Sequence, residues 1–212
     1  MPARRQLLAS ARLYLIAATD RIAAATAALE GGVDVIQLRD KHASDADLIA
    51  AGRVLREVCD RHDALLIVND RPDIALACGA DGVHVGQDDD PLESVRALVG
   101  DDLLVGISTH TPDQIAAADA SSADYLGVGP IYATPTKPQA RPVGLDLVRA
   151  ARERTTKPFF AIGGIDAERA AAVVKAGATR IAVVRAICDA DDPAAAARSL
   201  ADVVEGAAAL AR

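Results

Sequence analysis

Three residues of the chain stand two apart in sequence, Gln37, Arg39 and Lys41. In an extended backbone such residues share a face, so one amide and two cations can project to the same side. A guanidinium grips a phosphate through two donors and an ammonium serves as a point charge, which makes the trio suited to a phosphate or diphosphate. A solvated charge cluster at a strand end is the alternative. Asp70 and Asp89 form a second set. Placed after neighbouring strands, two carboxylates can share one Mg2+, a cation that takes few carboxylates and completes its shell with water and phosphate oxygens. Alternatively, Asp70 caps a helix opening at Arg71-Pro72 and Asp89 one opening at Asp90-Pro91, and Asp88 is a third carboxylate that spacing does not set apart. Gly163-Gly164 precedes a helix start at Asp166. Such a pair lets backbone approach an anion closely while helix N–H groups face it, or it simply makes a tight turn.

Other chemistries find little support. His84 lies inside an apolar run and reads more readily as a packed histidine than as a ligand, whereas His110, just past Ser108, is better placed for a site or for packing a loop. No Ser/His/Asp set, cysteine nucleophile or histidine cluster for zinc stands out. There is no phosphate-binding GxxxxGK loop, and Gly127-Val-Gly129 lacks the dinucleotide spacing. The inventory is therefore two anion sites and Mg2+, which suits two phosphorylated substrates, or one with two ends, without covalent catalysis.

Eight short apolar runs are available to position these groups, near 13–18, 33–38, 64–68, 81–85, 103–107, 124–128, 158–162 and 180–184. Nearly continuous apolar runs mark strands buried on both faces, as in a parallel sheet. Between them lie Ala-, Leu- and charge-rich helical stretches, with helix starts read at Asp20, Ser44, Thr111-Pro112 and Asp166. A pattern of helix tail, small residue, often an acid, then strand recurs around Asp34, Asp81, Asp124 and Arg180, about two strand–helix units apart. Strict alternation over 212 residues predicts one α/β domain, a single-domain (β/α)8 TIM barrel, with residues 1–12 as an N-terminal extension and an open doubly wound sheet as the rival. In that barrel the polar and glycine-rich groups after seven consecutive strands all fall at the C-terminal end, where barrel active sites are built. The longest connection, 129–143, holds four prolines, and long loops in compact domains are usually functional.

The net charge of −7 argues against a nucleic-acid surface, and no apolar run is long enough for a membrane span. Three scattered cysteines suggest no disulfide framework and fit a reducing cytoplasm. The partners expected are small phosphorylated substrates, not nucleic acid or membrane, with a homodimer left open as the assembly.

In order along the chain, Gln37-Leu-Arg-Asp-Lys41, Val68-Asn-Asp-Arg71, Asp81-Gly-Val-His-Val-Gly-Gln-Asp-Asp89, Gly106-Ile-Ser-Thr-His110, Gly129-Pro-Ile-Tyr-Ala-Thr-Pro-Thr-Lys137 and Ala161-Ile-Gly-Gly-Ile165 resemble the thiamine-phosphate synthase family. The resemblance covers about 13–187. It implies condensation of hydroxymethylpyrimidine diphosphate with a thiazole phosphate to thiamine phosphate and pyrophosphate, by a Mg2+-dependent dissociative route in which pyrophosphate leaves first. It also implies that Gln37, Arg39, Lys41, Asn69, Ser108 and Lys137 bind the pyrimidine diphosphate, with Arg39, Lys41, Ser108 and Lys137 as the catalytic groups. By the same resemblance Asp70 and Asp89 hold Mg2+, and Thr134, Thr136, Gly164, Val184 and Arg185 bind the thiazole phosphate. Arg185 departs from the small serine frequent in the family, so its side chain either adds a phosphate contact or faces away. A thiazole-phosphate tautomerase shares this fold and phosphate site but needs neither pyrophosphate nor Mg2+; a non-catalytic phosphometabolite sensor is a further alternative. The joint presence of Arg39, Lys41, Asp70, Asp89 and Lys137 favours the synthase.

Overall fold

The computed structural model describes residues 2–136, 139 and 141–210. Eight strands, β1 (Leu13–Ala17), β2 (Val35–Leu38), β3 (Leu65–Asn69), β4 (Gly82–Val85), β5 (Leu104–Thr109), β6 (Tyr125–Val128), β7 (Phe159–Ile162) and β8 (Ile181–Val183), pair in parallel and close into a barrel. Closure comes from β1 pairing with β8 through Leu13 with Ile181 and Leu15 with Val183. The expected runs and the observed strands coincide to within about two residues, because burial on both faces leaves each strand an uninterrupted apolar stretch. The open-sheet alternative is thereby excluded.

The segment before β1 is helix α1 (Pro2–Ser10). Helices α2 (Ile22–Glu30), α3 (Asp45–Arg61), α4 (Pro72–Cys78), α5 (Leu92–Val99), α6 (Pro112–Ala120), α7 (Leu145–Arg154), α8 (Ala167–Lys175) and α10 (Pro193–Leu210) follow the strands, with the short α9 (Arg185–Cys188) just after β8. None of the described helices is long and apolar enough to cross a membrane. Three expected helix starts have the cap their residue type supplies. Ser44 Oγ accepts from Asp47 N, Thr111 Oγ1 from Gln114 N and an Asp166 carboxylate oxygen from Arg169 N. Asp20 does not: Thr19–Arg21 forms a 3-10 turn and α2 begins only at Ile22, with no side-chain cap.

Two apolar layers result. The larger lies between barrel and helices; the smaller fills the barrel with Tyr14, Val35, Leu65, Ile67, Leu104, Tyr125, Phe160 and Ala182, plugged from below by Leu8 and Ala11. The recurrent acidic position explains how the lower end is pinned. Asp34 Oδ2 accepts from Leu13 N, Asp81 Oδ2 from Leu66 N and Asp124 Oδ2 from Val105 N, each at 2.9 Å. An acid ahead of β2, β4 and β6 thus holds the start of the odd strand before it. Arginines then neutralise two of these acids. Arg4 Nε and an Arg56 NH1 donate to Asp81, and Arg5 Nε (2.9 Å) and Arg96 (2.5 Å) donate to Asp124. In the fourth copy Arg180 stands in place of the acid and donates to Ala9 O of the capping segment at 2.7 Å.

Removing one partner of a nearly buried ion pair leaves its counter-charge uncompensated, typically at 3–5 kcal/mol. Asp81→Ala, which leaves Arg4 without its carboxylate, Arg56 with only the exposed Asp60, and Leu66 N without its acceptor, is therefore expected to lower stability by about 3 kcal/mol or more in urea unfolding. A loss below about 1 kcal/mol, the worth of an exposed pair, would show that solvent replaces the clamp.

Candidate active site

At the opposite end of the barrel lies a cavity of about 260 Å³, walled by residues from every strand end from β1 to β8. Period-two alternation builds it: Ile16, Gln37, Asn69, His84, Ser108, Gly127, Ile162 and Val184 point inward from successive strands above a floor of Tyr14, Tyr125, Phe160 and Ala182. Its position matches a small-molecule site at a barrel mouth.

Gln37 and Arg39 both border this cavity, as their alternation predicts. Lys41 does not join them among its walls. The chain leaves extended geometry after Leu38 because Asp40 is drawn aside, accepting from Thr19 Oγ1 at 2.6 Å and from His42 N at 3.0 Å. These bonds, with the Thr19 hydroxyl foremost, hold the Asp40 carboxyl below the usual range. Lys41 is exposed yet near enough to act electrostatically on Asp70, so it belongs to the rim.

Asp70 and Asp89 do meet. Helices α4 and α5 start without side-chain caps, at Arg71 and Pro91, so neither carboxylate is spent as a helix cap. Asp70 continues the β3–β4 ladder, its N–H donating to His84 O at 2.8 Å, and holds a left-handed backbone with φ 59°. Asp89 folds back so that its Oδ2 accepts from Gly86 N at 2.8 Å. Partial burial raises the Asp70 pKa, the hydrogen bond with Asp89 and that neighbour's charge raise it further, and Lys41 and Asn69 offset only part. Two carboxylates forced together with residual repulsion are a donor set that a divalent cation relieves. Among the described residues no group of three or more His, Cys, Asp or Glu side chains forms a denser metal site. The pair would therefore leave most of a Mg2+ shell to water and phosphate oxygens. Asp88 is exposed.

The other end of the cavity is built from the β6, β7 and β8 connections. Gly163 and Gly164 take φ of 104° and 63°. A Cβ on Gly163 would lie 2.5 Å from Pro130 Cα, and one on Gly164 2.6 Å from Ala133 O. The close approach these glycines permit is thus to the loop after β6, which docks through Ile131 N to Ile162 O (2.8 Å) and Tyr132 N to Gly163 O (2.9 Å). Thr134, Thr136, Gly164, Val184 and Arg185 border the cavity together. Lys137 lies outside the described residues. Arg185 Nε donates to Asp189 one turn on at 2.7 Å, so its guanidinium is already partnered.

Sequence reasoning missed two features. Arg169, in the first turn of α8, borders the cavity, donates to Gly164 O at 2.9 Å and stacks on Tyr132 with its guanidinium carbon 5.1 Å from the ring centroid. Its position just after a Gly-Gly turn was the available signal. The other is the aromatic floor: of the chain's three Tyr and two Phe, Tyr14, Tyr125 and Phe160 meet inside the barrel. His84, at first sight packing, bonds Tyr125 through Nδ1 (3.2 Å) and Ser108 Oγ through Nε2 (2.9 Å). His110 holds the loop base through Nδ1 to Gly129 O and also borders the cavity. Burial pushes the Cys59 thiol up to about 12 and the Cys188 thiol to about 11, in keeping with the absence of a cysteine nucleophile.

A family model described as thiamine monophosphate synthase matches residues 13–187. A thiamine-phosphate synthase of Gloeobacter violaceus is 54% identical over 191 residues, covering 89% of this chain and 56% of that protein. One from Mycobacterium bovis is 50% identical over 216 residues, covering 94% of this chain and 97% of its own length. The structure of a thiamine phosphate pyrophosphorylase from Pyrococcus furiosus superposes with a TM-score of 0.87 at 36% identity, covering 96% of this chain and 98% of that one. The chain thus spans little more than half the length of the Gloeobacter relative and nearly all of the other two.

Replacing Asp70 by Asn removes the like-charge contact, and asparagine tolerates the left-handed backbone there. The metal-free Asp70→Asn protein is expected to melt about 2–4 °C higher for each kcal/mol of repulsion removed. An unchanged or lower melting point, read by calorimetry, would mean the carboxylate pair carries no net repulsion.

Proposed function

Because the chain belongs to the thiamine monophosphate synthase family, we propose that it joins hydroxymethylpyrimidine diphosphate to thiazole phosphate, forming thiamine phosphate and releasing pyrophosphate. The observation that carries this reading is a single barrel mouth with two unlike ends: Arg39, Lys41 and the Asp70–Asp89 pair at one, and the glycine-lined pocket of Gly164, Val184 and Arg185 at the other.

The chemistry needs no protein nucleophile. The bond between the pyrimidine methylene carbon and the diphosphate oxygen breaks, and its electron pair departs with pyrophosphate. The thiazole nitrogen then donates its lone pair to the methylene cation, closing the new C–N bond. What such a reaction asks of the protein is charge stabilisation on the leaving group and alignment of the two partners. Arg39 and Lys41, with Lys137, supply positive charge to the diphosphate, while Gln37, Asn69 and Ser108 hold the pyrimidine diphosphate in register. Mg2+, held by Asp70 and Asp89, would neutralise further charge on the diphosphate oxygens. Thr134, Thr136, Gly164, Val184 and Arg185 seat the thiazole phosphate so that its nitrogen faces the methylene. The loop after β6, pinned at its base by Val143 N to Pro130 O (2.8 Å) and bordering the cavity through Ala133, Thr134, Pro135 and Thr136, would keep water from capturing the cation. Three free, buried cysteines suit a reducing cytoplasm as the working compartment.

The test is to mix the protein with both substrates, with Mg2+ or with excess EDTA, and to follow thiamine phosphate and pyrophosphate. Product only with the metal is expected, and Asp89→Ala should lower turnover on the order of 10²-fold or more, since several kcal/mol of charge stabilisation is at stake. Equal rates in EDTA would remove the metal from this account. No product from a folded protein that still binds thiazole phosphate would point instead to a tautomerase or a sensor.

A further inference from the structure

We propose that Tyr14 and Tyr125, deep inside the barrel, are positioning residues of this site: with Gln37 and His84 they form a one-way chain of hydrogen bonds that fixes Ser108 as a donor toward the pyrimidine diphosphate. The proposal deepens the functional reading above and rests on it for the identity of the substrate.

The chain crosses five strands. Gln37 Nε2 on β2 donates to Tyr14 Oη on β1 at 2.7 Å, Tyr14 Oη lies 3.0 Å from Tyr125 Oη on β6, Tyr125 Oη lies 3.2 Å from His84 Nδ1 on β4, and His84 Nε2 lies 2.9 Å from Ser108 Oγ on β5. Its direction follows from its first member. An amide nitrogen only donates, so the Tyr14 oxygen accepts there and its own proton goes on to Tyr125. Tyr125 in turn donates to His84 Nδ1. The imidazole is then held with its proton on Nε2, which donates to Ser108 Oγ. The Ser108 hydroxyl, its oxygen engaged as an acceptor, keeps its proton for a group in the cavity. Burial raises the pKa of both phenols, so each retains the proton the chain requires. Reversal would aim the buried Tyr14 hydroxyl proton at the Gln37 amide nitrogen, which cannot accept it, and that is costly in an apolar interior.

The surroundings are shaped for this chain. Strand register sets His84 beside Gly106 and Gly106 beside Tyr125. A Cβ at Gly106 would collide with the Tyr125 ring and lie 2.6 Å from His84 Nδ1, so the glycine provides the gap through which the two side chains meet. Phe160 packs edge-on against both tyrosines, with ring centroids 5.1 Å from Tyr14 and 5.8 Å from Tyr125, and fixes the ring planes. A purely structural core would need neither hydroxyl. With them, a leaving diphosphate or ring nitrogen seated over Ser108 meets a pre-aimed proton rather than a pair of lone pairs.

Two measurements test it. In the 15N spectrum of histidine-labelled protein, assigned with His84→Asn, His84 should carry its proton on Nε2 with Nδ1 bare, and Tyr125→Phe should shift that tautomer balance. In a double-mutant cycle, Tyr125→Phe should lower kcat about tenfold, the worth of one ordered hydrogen bond, with KM for thiazole phosphate unchanged. Added to Ser108→Ala it should cost little more, because it acts through that hydroxyl. A wild-type His84 protonated on Nδ1, or costs that multiply in the cycle, would overturn the proposal. Should Tyr125→Phe fail to fold, Tyr14→Phe, one bond further along, is read in the same cycle and against the same two outcomes. If the wild-type protein makes no thiamine phosphate, the functional reading fails while the 15N spectrum still decides the direction of the chain.

Discussion

Closure of the strand ring is the constraint from which the rest of this molecule follows. Parallel strands of three to six residues cannot stand alone; joined edge to edge, with β8 returning to β1, they leave no unpaired edge. Once closed, the ring sends every second side chain into one narrow interior, and register decides which of them meet. Gln37 falls level with Ile16 and Ile67, and Ser108 with Gly127. The polar groups at the mouth are therefore neighbours through strand pairing, although they lie tens of residues apart in sequence. The glycine at 106 matters for the same reason: an inner layer holding Tyr125 and His84 has no room for a further side chain on the strand between them.

The two ends of the barrel use charge differently. Below, Asp81 and Asp124 are matched by two guanidinium groups each and by a strand N–H, so their charge is compensated within the protein. Above, Asp70 faces another carboxylate and takes a left-handed backbone. Residual repulsion and an unusual φ are costs a fold accepts at a ligand site, and here they stand in the layer where ligands bind in barrels of this type.

Much of this architecture was legible in the sequence. Two-sided burial wrote the strands as apolar runs, and Ser44, Thr111 and Asp166 announced the helices they cap. The acid ahead of β2, β4 and β6 was visible as a repeat, but its role needed coordinates, because its partner is a backbone N–H of another strand. Asp20 misled, since a 3-10 turn intervenes before the helix. The alternation of Gln37, Arg39 and Lys41 held for the first two only, because Asp40 reaches across to Thr19 and bends the chain before Lys41. Tyr14 and Tyr125 were invisible as functional residues. Each sits in an apolar run, and only the inner face of the ring brings their hydroxyls together. Gly163 and Gly164 read in the sequence either as backbone open to an anion or as a tight turn, and in the fold the neighbouring loop occupies the space their missing side chains leave.

The central claim is that one mouth holds two phosphorylated groups at opposite ends, one by cations and carboxylates and the other by the β7 and β8 turns. A crystal structure of the protein grown with Mg2+, pyrophosphate and thiazole phosphate tests it most directly. The account predicts pyrophosphate between Arg39 and the Asp70–Asp89 pair, with a Mg2+ on both carboxylates, and the thiazole phosphate against Gly164 and Val184. Pyrophosphate seated at Gly164, or a metal that ignores both carboxylates, would contradict it.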